Sequence, residues 1–116
     1  MSGLAQHIAF NTEHLSRQTM GDRDLQREIL LLFVRQSQKF VELLSNATLN
    51  ERRNLAHTLK GSARAVGAFA VADASELVES TPTGDEGAHA LATLAEAVSE
   101  ARRTVSLTGD VIEPAL

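Results

Sequence analysis

The chain is organised around one helical segment, Leu55-Ala-His-Thr-Leu-Lys-Gly-Ser-Ala-Arg-Ala-Val-Gly67. At about 100° per residue, Leu55, Leu59 and Val66 fall on one side of a helix, and this side is predicted to face a hydrophobic core. His57 points in nearly the opposite direction. The segment therefore predicts a helix that buries one face and presents an imidazole ring to solvent.

Basic residues lie on the same face of the predicted helix as His57. Lys60 and Arg64 share its stripe because residues three, four and seven positions apart lie on one helix face, and Arg53 extends the stripe one turn back. Ammonium and guanidinium groups bind oxyanions such as phosphate well. Lys60 and Arg64 are therefore candidates to steady a phosphate or to dock a partner, with ordinary solvated surface charge as the alternative interpretation.

Gly61 also lies in this stripe, one turn after His57. A glycine in a helix interior costs roughly 0.5–1 kcal/mol relative to alanine, and the surrounding alanine-rich sequence shows no need for a break. The missing side chain leaves the imidazole uncrowded. We therefore expect Gly61 to give a bulky group steric access to His57.

The segment resembles the signature of histidine-containing phosphotransfer (HPt) domains, His-x-Leu-Lys-Gly-Ser/Ala followed by a second glycine six residues after the first. The matching residues are His57, Leu59, Lys60, Gly61, Ser62 and Gly67. Thr19-x-Gly21-Asp22 and the pattern Leu-x-x-Glu-Ile-Leu-x-Leu-Phe from Leu25 to Phe33 are also similar to the family. A lone helical histidine is more often a solvated surface residue, but the ungapped motif favours a functional one.

The resemblance implies that His57 is the phosphoacceptor, through the ring nitrogen Nε2. The family places a polar residue, often glutamine, 22 positions after the histidine, and ungapped counting puts Glu79 there. A carboxylate that accepts from Nδ1–H would fix the tautomer that leaves Nε2 free. Glu79 is thus the candidate for orienting the ring, and pairing with a surface lysine or arginine is the alternative.

The sequence contains no Gly-x-Gly-x-x-Gly or Walker pattern, so self-phosphorylation from ATP is not expected. The resemblance implies a phosphocarrier rather than an enzyme, exchanging the phosphoryl group with response-regulator receiver domains and possibly a hybrid histidine kinase. It implies no cofactor on this chain, with Mg²⁺ on the partner receiver. The alternative is a helical binding module that regulates a receiver or kinase without carrying phosphate.

Composition restricts the class of protein. A chain of 116 residues with no cysteine and a net charge of −4 is predicted to be one domain without disulfides. Net negative charge, no Trp, no Tyr and only four Phe disfavour nucleic-acid binding. With no membrane-length apolar run and no pattern of a secretion signal, a cytoplasmic monomer is expected.

Helical periodicity without sustained alternation predicts an all-α fold, an up-down antiparallel four-helix bundle with an additional short N-terminal helix. We expect residues 1–10 to form a flexible or short lead, 11–107 the bundle domain and 108–116 a tail. The second predicted helix, from Asp22 to Ser45 or Asn46, is apolar around much of its circumference and should be contacted from more than one side. The residues that recur along it at spacings of three and four are Leu25, Ile29, Leu32, Phe33, Gln36, Phe40, Leu43 and Leu44, and Leu30, Leu31, Val34 and Val41 fill the neighbouring faces.

Other histidines offer weaker signals. Glu86-x-x-His89 has the spacing of half a carboxylate-bridged di-iron site, but no second copy exists in the sequence. His7 and His14 are interpreted as surface residues. Apolar docking contacts around His57 are expected from Ala65, Ala68 and either Phe69 or Met20.

Overall fold

The computed structural model describes residues 10–81 and 83–108, with side chains to Val105. Within these residues it contains helices and no strand, which confirms the all-α prediction. The helices are α1 (Thr12–Gln18), α2 (Arg23–Ser45), α3 (Leu49–Val66), α4 (Phe69–Ser80) and α5 (Gly84–Thr108). Residues 1–9, Pro82 and 109–116 lie outside the described part, and so do the predictions for His7 and for most of the lead and tail.

Side-chain caps fix where the first three helices begin. Asn11 accepts a hydrogen bond from the His14 amide and begins α1, and Asp22 accepts from the Leu25 amide and begins α2. Thr48 and Glu51 form a reciprocal capping box at the start of α3. The start of α2 at Asp22 agrees with the sequence prediction, because caps are local interactions.

The four longer helices contact one another in a closed order. α2 packs against α3 and α5, and α4 packs against the same two helices, while α1 lies on α2 and α3. The core between them contains the fully buried Leu30, Leu44, Leu59, Val78 and Leu94. Among the described helices, none combines the length and apolar character needed to cross a lipid bilayer.

The buried face of α2 differs from the predicted stripe. The helix is contacted from more than one side, as expected, but Leu25, Leu32 and Leu43 are exposed. The buried residues of α2 are Gln26, Leu30, Phe33, Val34, Ser37 and Leu44. Polar residues also take core positions on this helix, and Ser37 satisfies its hydroxyl by donating to the Phe33 carbonyl at 2.7 Å.

A buried polar contact joins α1 to α2. Gln26 Nε2 donates to Thr19 Oγ1 at 2.8 Å, and Thr19 Oγ1 donates to the Leu15 carbonyl at 2.9 Å. Between them the chain turns through Met20 and Gly21, both with positive φ. The sequence pattern gave no sign of this contact, since each residue alone is typical of a surface.

Gly67, in the connection from α3 to α4, lies close to the backbone of Asn11. Gly67 ends α3 in a left-handed backbone conformation, with a φ of +79°. A Cβ at this position would lie 2.9 Å from the Asn11 carbonyl oxygen. The Asn11 amide donates to the Gly67 carbonyl at 2.8 Å. His14, interpreted from the sequence as a surface residue, instead packs edge-on against Phe69 with its Nε2 buried, because α1 lies over this connection.

Candidate functional site

His57 stands on the solvent face of α3. Its side chain is 68% exposed, whereas Ala56, Leu59 and Ala63 on the opposite face are buried in the core. Two of these three buried residues are alanines, so α3 presents mainly small side chains to the core around Leu59. The predicted outward orientation of His57 is confirmed.

One ring nitrogen of His57 is held by the adjacent helix. Nδ1 lies 2.9 Å from Oε2 of Glu79, which α4 carries 22 positions further along the chain. The Glu79 side chain is 30% exposed. The contact leaves the other nitrogen, Nε2, on the side of the ring away from the carboxylate.

The second oxygen of Glu79 is bound by Lys60. Lys60 Nζ donates to Oε1 at 2.8 Å, and the lysine side chain is only 16% exposed. This hydrogen bond is the largest influence on the pKa of Glu79. It lowers that pKa below the ordinary value despite partial burial, which raises it, and the His57 hydrogen bond lowers it further.

The charge of Glu79 determines the direction of its hydrogen bond to His57. With a lowered pKa, Glu79 is a carboxylate at neutral pH and can only accept hydrogen bonds. Nδ1 must therefore carry the ring proton and donate it to Oε2. In the neutral imidazole, Nε2 then holds the free lone pair.

Arg64 is paired with a different carboxylate. Its guanidinium donates to Glu76 Oε1 at 3.2 Å, and both side chains are more than half exposed. Arg64 therefore lies on the same face as His57 without joining the contacts among His57, Lys60 and Glu79. A pair this exposed exchanges its partner for an incoming anion at little cost.

Gly61 is exposed and has ordinary helical geometry. A Cβ added there would meet no atom within 4 Å, and its φ is not positive. Neither packing nor backbone conformation therefore requires a glycine at this position. Steric access to His57 stays the prediction for its role.

A model of the Hpt domain family matches residues 28–104. The chain belongs to the Hpt domain family. The match contains His57, Lys60, Gly61, Arg64 and Glu79. Hpt domains are phosphocarriers of phosphorelays that interact with receiver domains and histidine kinases. Comparisons with curated proteins and with solved structures gave no match.

Only some of the residues that were expected to make apolar docking contacts lie at the surface of this Hpt domain. Ala65, Phe69 and Met20 are exposed, but Ala68, in the connection from α3 to α4, is fully buried in the hydrophobic core. The sequence interpretation missed the exposed leucines of α2, Leu25, Leu32 and Leu43. Their positions in an apolar stripe were visible, but only the packing shows that the core leaves them uncovered.

The Glu86-x-x-His89 motif lies at the start of α5 in this Hpt domain, where both residues are exposed. Within the described part of the chain, no group of three or more His, Asp or Glu side chains is arranged to hold a metal ion. The structure therefore does not bring together the ligands that a carboxylate-bridged site requires.

Proposed function

We propose that this Hpt domain carries a phosphoryl group on Nε2 of His57 between the aspartates of response-regulator receiver domains. The observation that supports this is the contact of Nδ1 with ionised Glu79 on a ring that is otherwise exposed. It directs a lone pair from Nε2 toward solvent, where a partner can approach. A ring held in one tautomer is ready for nucleophilic attack.

The proposed reaction exchanges one bond for another. The Nε2 lone pair attacks the phosphorus of an aspartyl phosphate, an N–P bond forms, and the P–O bond to the aspartate breaks with its electron pair returning to the carboxylate. In the reverse direction an aspartate of a second receiver attacks the phosphohistidine. The Hpt domain gains and loses the same group, so it acts as a carrier.

Lys60 and Arg64 are proposed to steady the phosphoryl group or to meet the acidic partner site. Lys60 Nζ is already bound to Glu79, which keeps a positive charge one helical turn from the ring. Arg64 can leave Glu76 for an anion, because that pair is exposed. Gly61 is proposed to keep the space between them open.

In this proposal the helical bundle positions His57, and the receiver domain supplies the metal ion. We propose an up-down antiparallel direction for the four longer helices, since residues 46–48, 67–68 and 81–83 suffice to connect them. The Hpt domain is proposed to act as a monomer and without a cofactor of its own. Mg²⁺ belongs to the receiver, where it neutralises charge on the phosphoryl group.

The decisive experiment is incubation with receiver domains that carry labelled aspartyl phosphate. We expect label to appear on the Hpt domain, to be acid-labile and alkali-stable, and to be absent from His57→Gln. His89→Gln is the matched control, because His89 is also an exposed helical histidine. If no receiver transfers label while His57→Gln still regulates a receiver or kinase, the domain is a binding module instead.

A further inference from the structure

One stripe of α2 lies on the solvent side of the helix and is left largely uncovered by the other described helices. Leu25, Leu32 and Leu43 of this stripe are exposed, and Ile29 is half-buried. The stripe residues recur at alternating spacings of four and three, which is the spacing of the seam of a coiled coil. We call them the outer stripe of α2, and they are Leu25, Ile29, Leu32, Gln36, Lys39 and Leu43. A seam of this kind is suited to packing against one further helix.

Two charged side chains of opposite sign flank the outer stripe. Glu28 and Arg35 are both exposed and lie seven residues apart on the same side of the stripe. At a rise of about 1.5 Å per residue they are roughly 10 Å apart along the axis, unlike the three- or four-residue spacing of ion pairs within one helix. Neither forms an ion pair among the described residues. Both charges are therefore available to another molecule.

We infer that a second copy of this chain binds to the outer stripe through its own α2, with the two helices antiparallel. The inference goes beyond the proposed function and involves no phosphoryl group. In this two-fold pair, Ile29 of each copy packs on Leu32 of the other, and the axis passes between them. The same register brings Glu28 of each copy beside Arg35 of the other. Two ion pairs, one on each side of the axis, thus accompany the apolar contacts.

The polar residues of the stripe also find partners in this register. Gln36 lies opposite Leu25 of the other copy, where the aliphatic part of its side chain can pack. Lys39 lies opposite Asp22, which is exposed at the start of α2. Asp22 caps the helix through one carboxylate oxygen, Oδ1, so its second oxygen can accept a hydrogen bond from Lys39 of the other copy. Opposite charges therefore meet at both ends of the seam.

Other arrangements of the two helices bring like charges together. In a parallel pair each residue faces its own counterpart, so Lys39 meets Lys39 within the seam. An antiparallel pair shifted by one heptad places either Glu28 beside Glu28, or Arg35 beside Arg35 with Glu28 beside Glu42. Like charges in contact oppose association. The charge pattern is thus self-complementary in the one register that also packs Ile29 on Leu32, which favours a second copy as the partner.

The pairing is expected to be weak. One pair of helices buries less than the roughly 800 Å² per partner that is usual in stable complexes. The monomer therefore stays the form that is proposed to carry the phosphoryl group at low concentration, and pairs form where the chain is concentrated.

Sedimentation equilibrium of the whole chain, from micromolar to millimolar concentration, tests the pairing. We expect the average mass of the unaltered chain to rise toward that of two copies, whereas Leu32→Glu should remain monomeric throughout. Leu31→Glu is the matched control, because Leu31 is also exposed on α2 but lies outside the outer stripe. Circular dichroism shows whether each variant is folded. A monomer at every concentration would overturn the inference, as would an equal loss of pairing in Leu31→Glu.

Charge reversal tests the register. Glu28→Arg and Arg35→Glu should each weaken association several-fold, because each places two pairs of like charges across the axis. Mixing the two variants should restore association, since every contact between positions 28 and 35 then joins opposite charges. A mixture that fails to recover would contradict the antiparallel register.

The outer stripe could instead be covered by a receiver domain. In that case no protein self-associates, but Leu32→Glu slows transfer from a receiver more than Leu31→Glu does, and the inference is wrong. Self-association requires no phosphoryl group, so its outcome is separate from whether His57 accepts label.

Discussion

His57 Nδ1 on α3 and Glu79 Oε2 on α4 lie 2.9 Å apart, and Lys60 binds the other oxygen of the same carboxylate. Three side chains from two helices thus form one chain of hydrogen bonds at the surface. The pairing gives the imidazole a defined proton position while leaving the ring 68% exposed. Fixed orientation and free access are both needed in a residue that passes a group between partners.

The proposed role of Gly61 can be tested by measuring the stability of the domain and the rate of phosphotransfer at His57 separately. Gly61→Ala should stabilise the domain by about 0.5–1 kcal/mol, because a Cβ meets open space and the unfolded chain loses freedom. Gly61→Gln should also retain or raise stability but slow phosphotransfer by crowding His57. Chemical denaturation and transfer rates provide the two measurements. An unchanged rate in Gly61→Gln would remove the steric explanation.

Gly67 should respond in the opposite way to the same substitution. Gly67→Ala forces a residue with a side chain into a left-handed conformation and places its Cβ 2.9 Å from the Asn11 carbonyl oxygen. We expect a loss of at least roughly 1–2 kcal/mol in the free energy of unfolding. Gly61→Ala serves as the internal comparison, and a neutral Gly67→Ala would mean that the connection adjusts freely.

The buried contact between Thr19 and Gln26 predicts a double-mutant result. Thr19→Val removes the acceptor of Gln26 Nε2 inside the core, which should cost about 1–3 kcal/mol. Adding Gln26→Met should recover part of this loss, because no polar group is then left without a partner. Urea denaturation of the two single variants and the double variant measures the coupling, and additive losses would show that the hydrogen bond is unimportant.

Acid should weaken the contribution of Glu79 to stability. A carboxyl group whose folded pKa is lowered stabilises the folded state above its unfolded pKa, and this is lost as pH falls through the folded value. Glu79→Gln should therefore be less stable near neutral pH, by about 1 kcal/mol, because the Glu79 side chain is still 30% exposed and solvent screens its charge. The two proteins should converge in strong acid. A difference that persists there would come from packing instead.

Two leucines two positions apart on α2 should differ sharply in how much their substitution by alanine destabilises the domain. Leu30 is fully buried and Leu32 is 53% exposed. Leu30→Ala should cost about 2–5 kcal/mol through lost burial and a cavity, whereas Leu32→Ala should change stability by less than about 0.5 kcal/mol. Thermal unfolding measures both. A large loss in Leu32→Ala would show that this face is covered in solution.

The local elements of this domain could be predicted from its sequence. Asn11, Asp22 and Thr48 cap their helices through hydrogen bonds to residues within one turn, and Gly67 ends α3. These caps are interactions between residues that lie close together in the sequence, so the sequence alone is enough to predict them. The outward direction of His57 followed in the same way, from the helical period of the segment around it.

Contacts between helices were decided only by the tertiary structure. Whether Leu30 or Leu32 faces the core depends on how α2 is rotated about its axis relative to α3 and α5. Because α2 is apolar over more of its surface than these helices cover, its sequence is compatible with several rotations. The same holds for the burial of Gln26 and of the Nε2 atom of half-buried His14, because the residues that cover them lie on other elements. Family resemblance indicated that residue 79 faces His57, but only packing determined that Lys60 binds its second oxygen and keeps it charged.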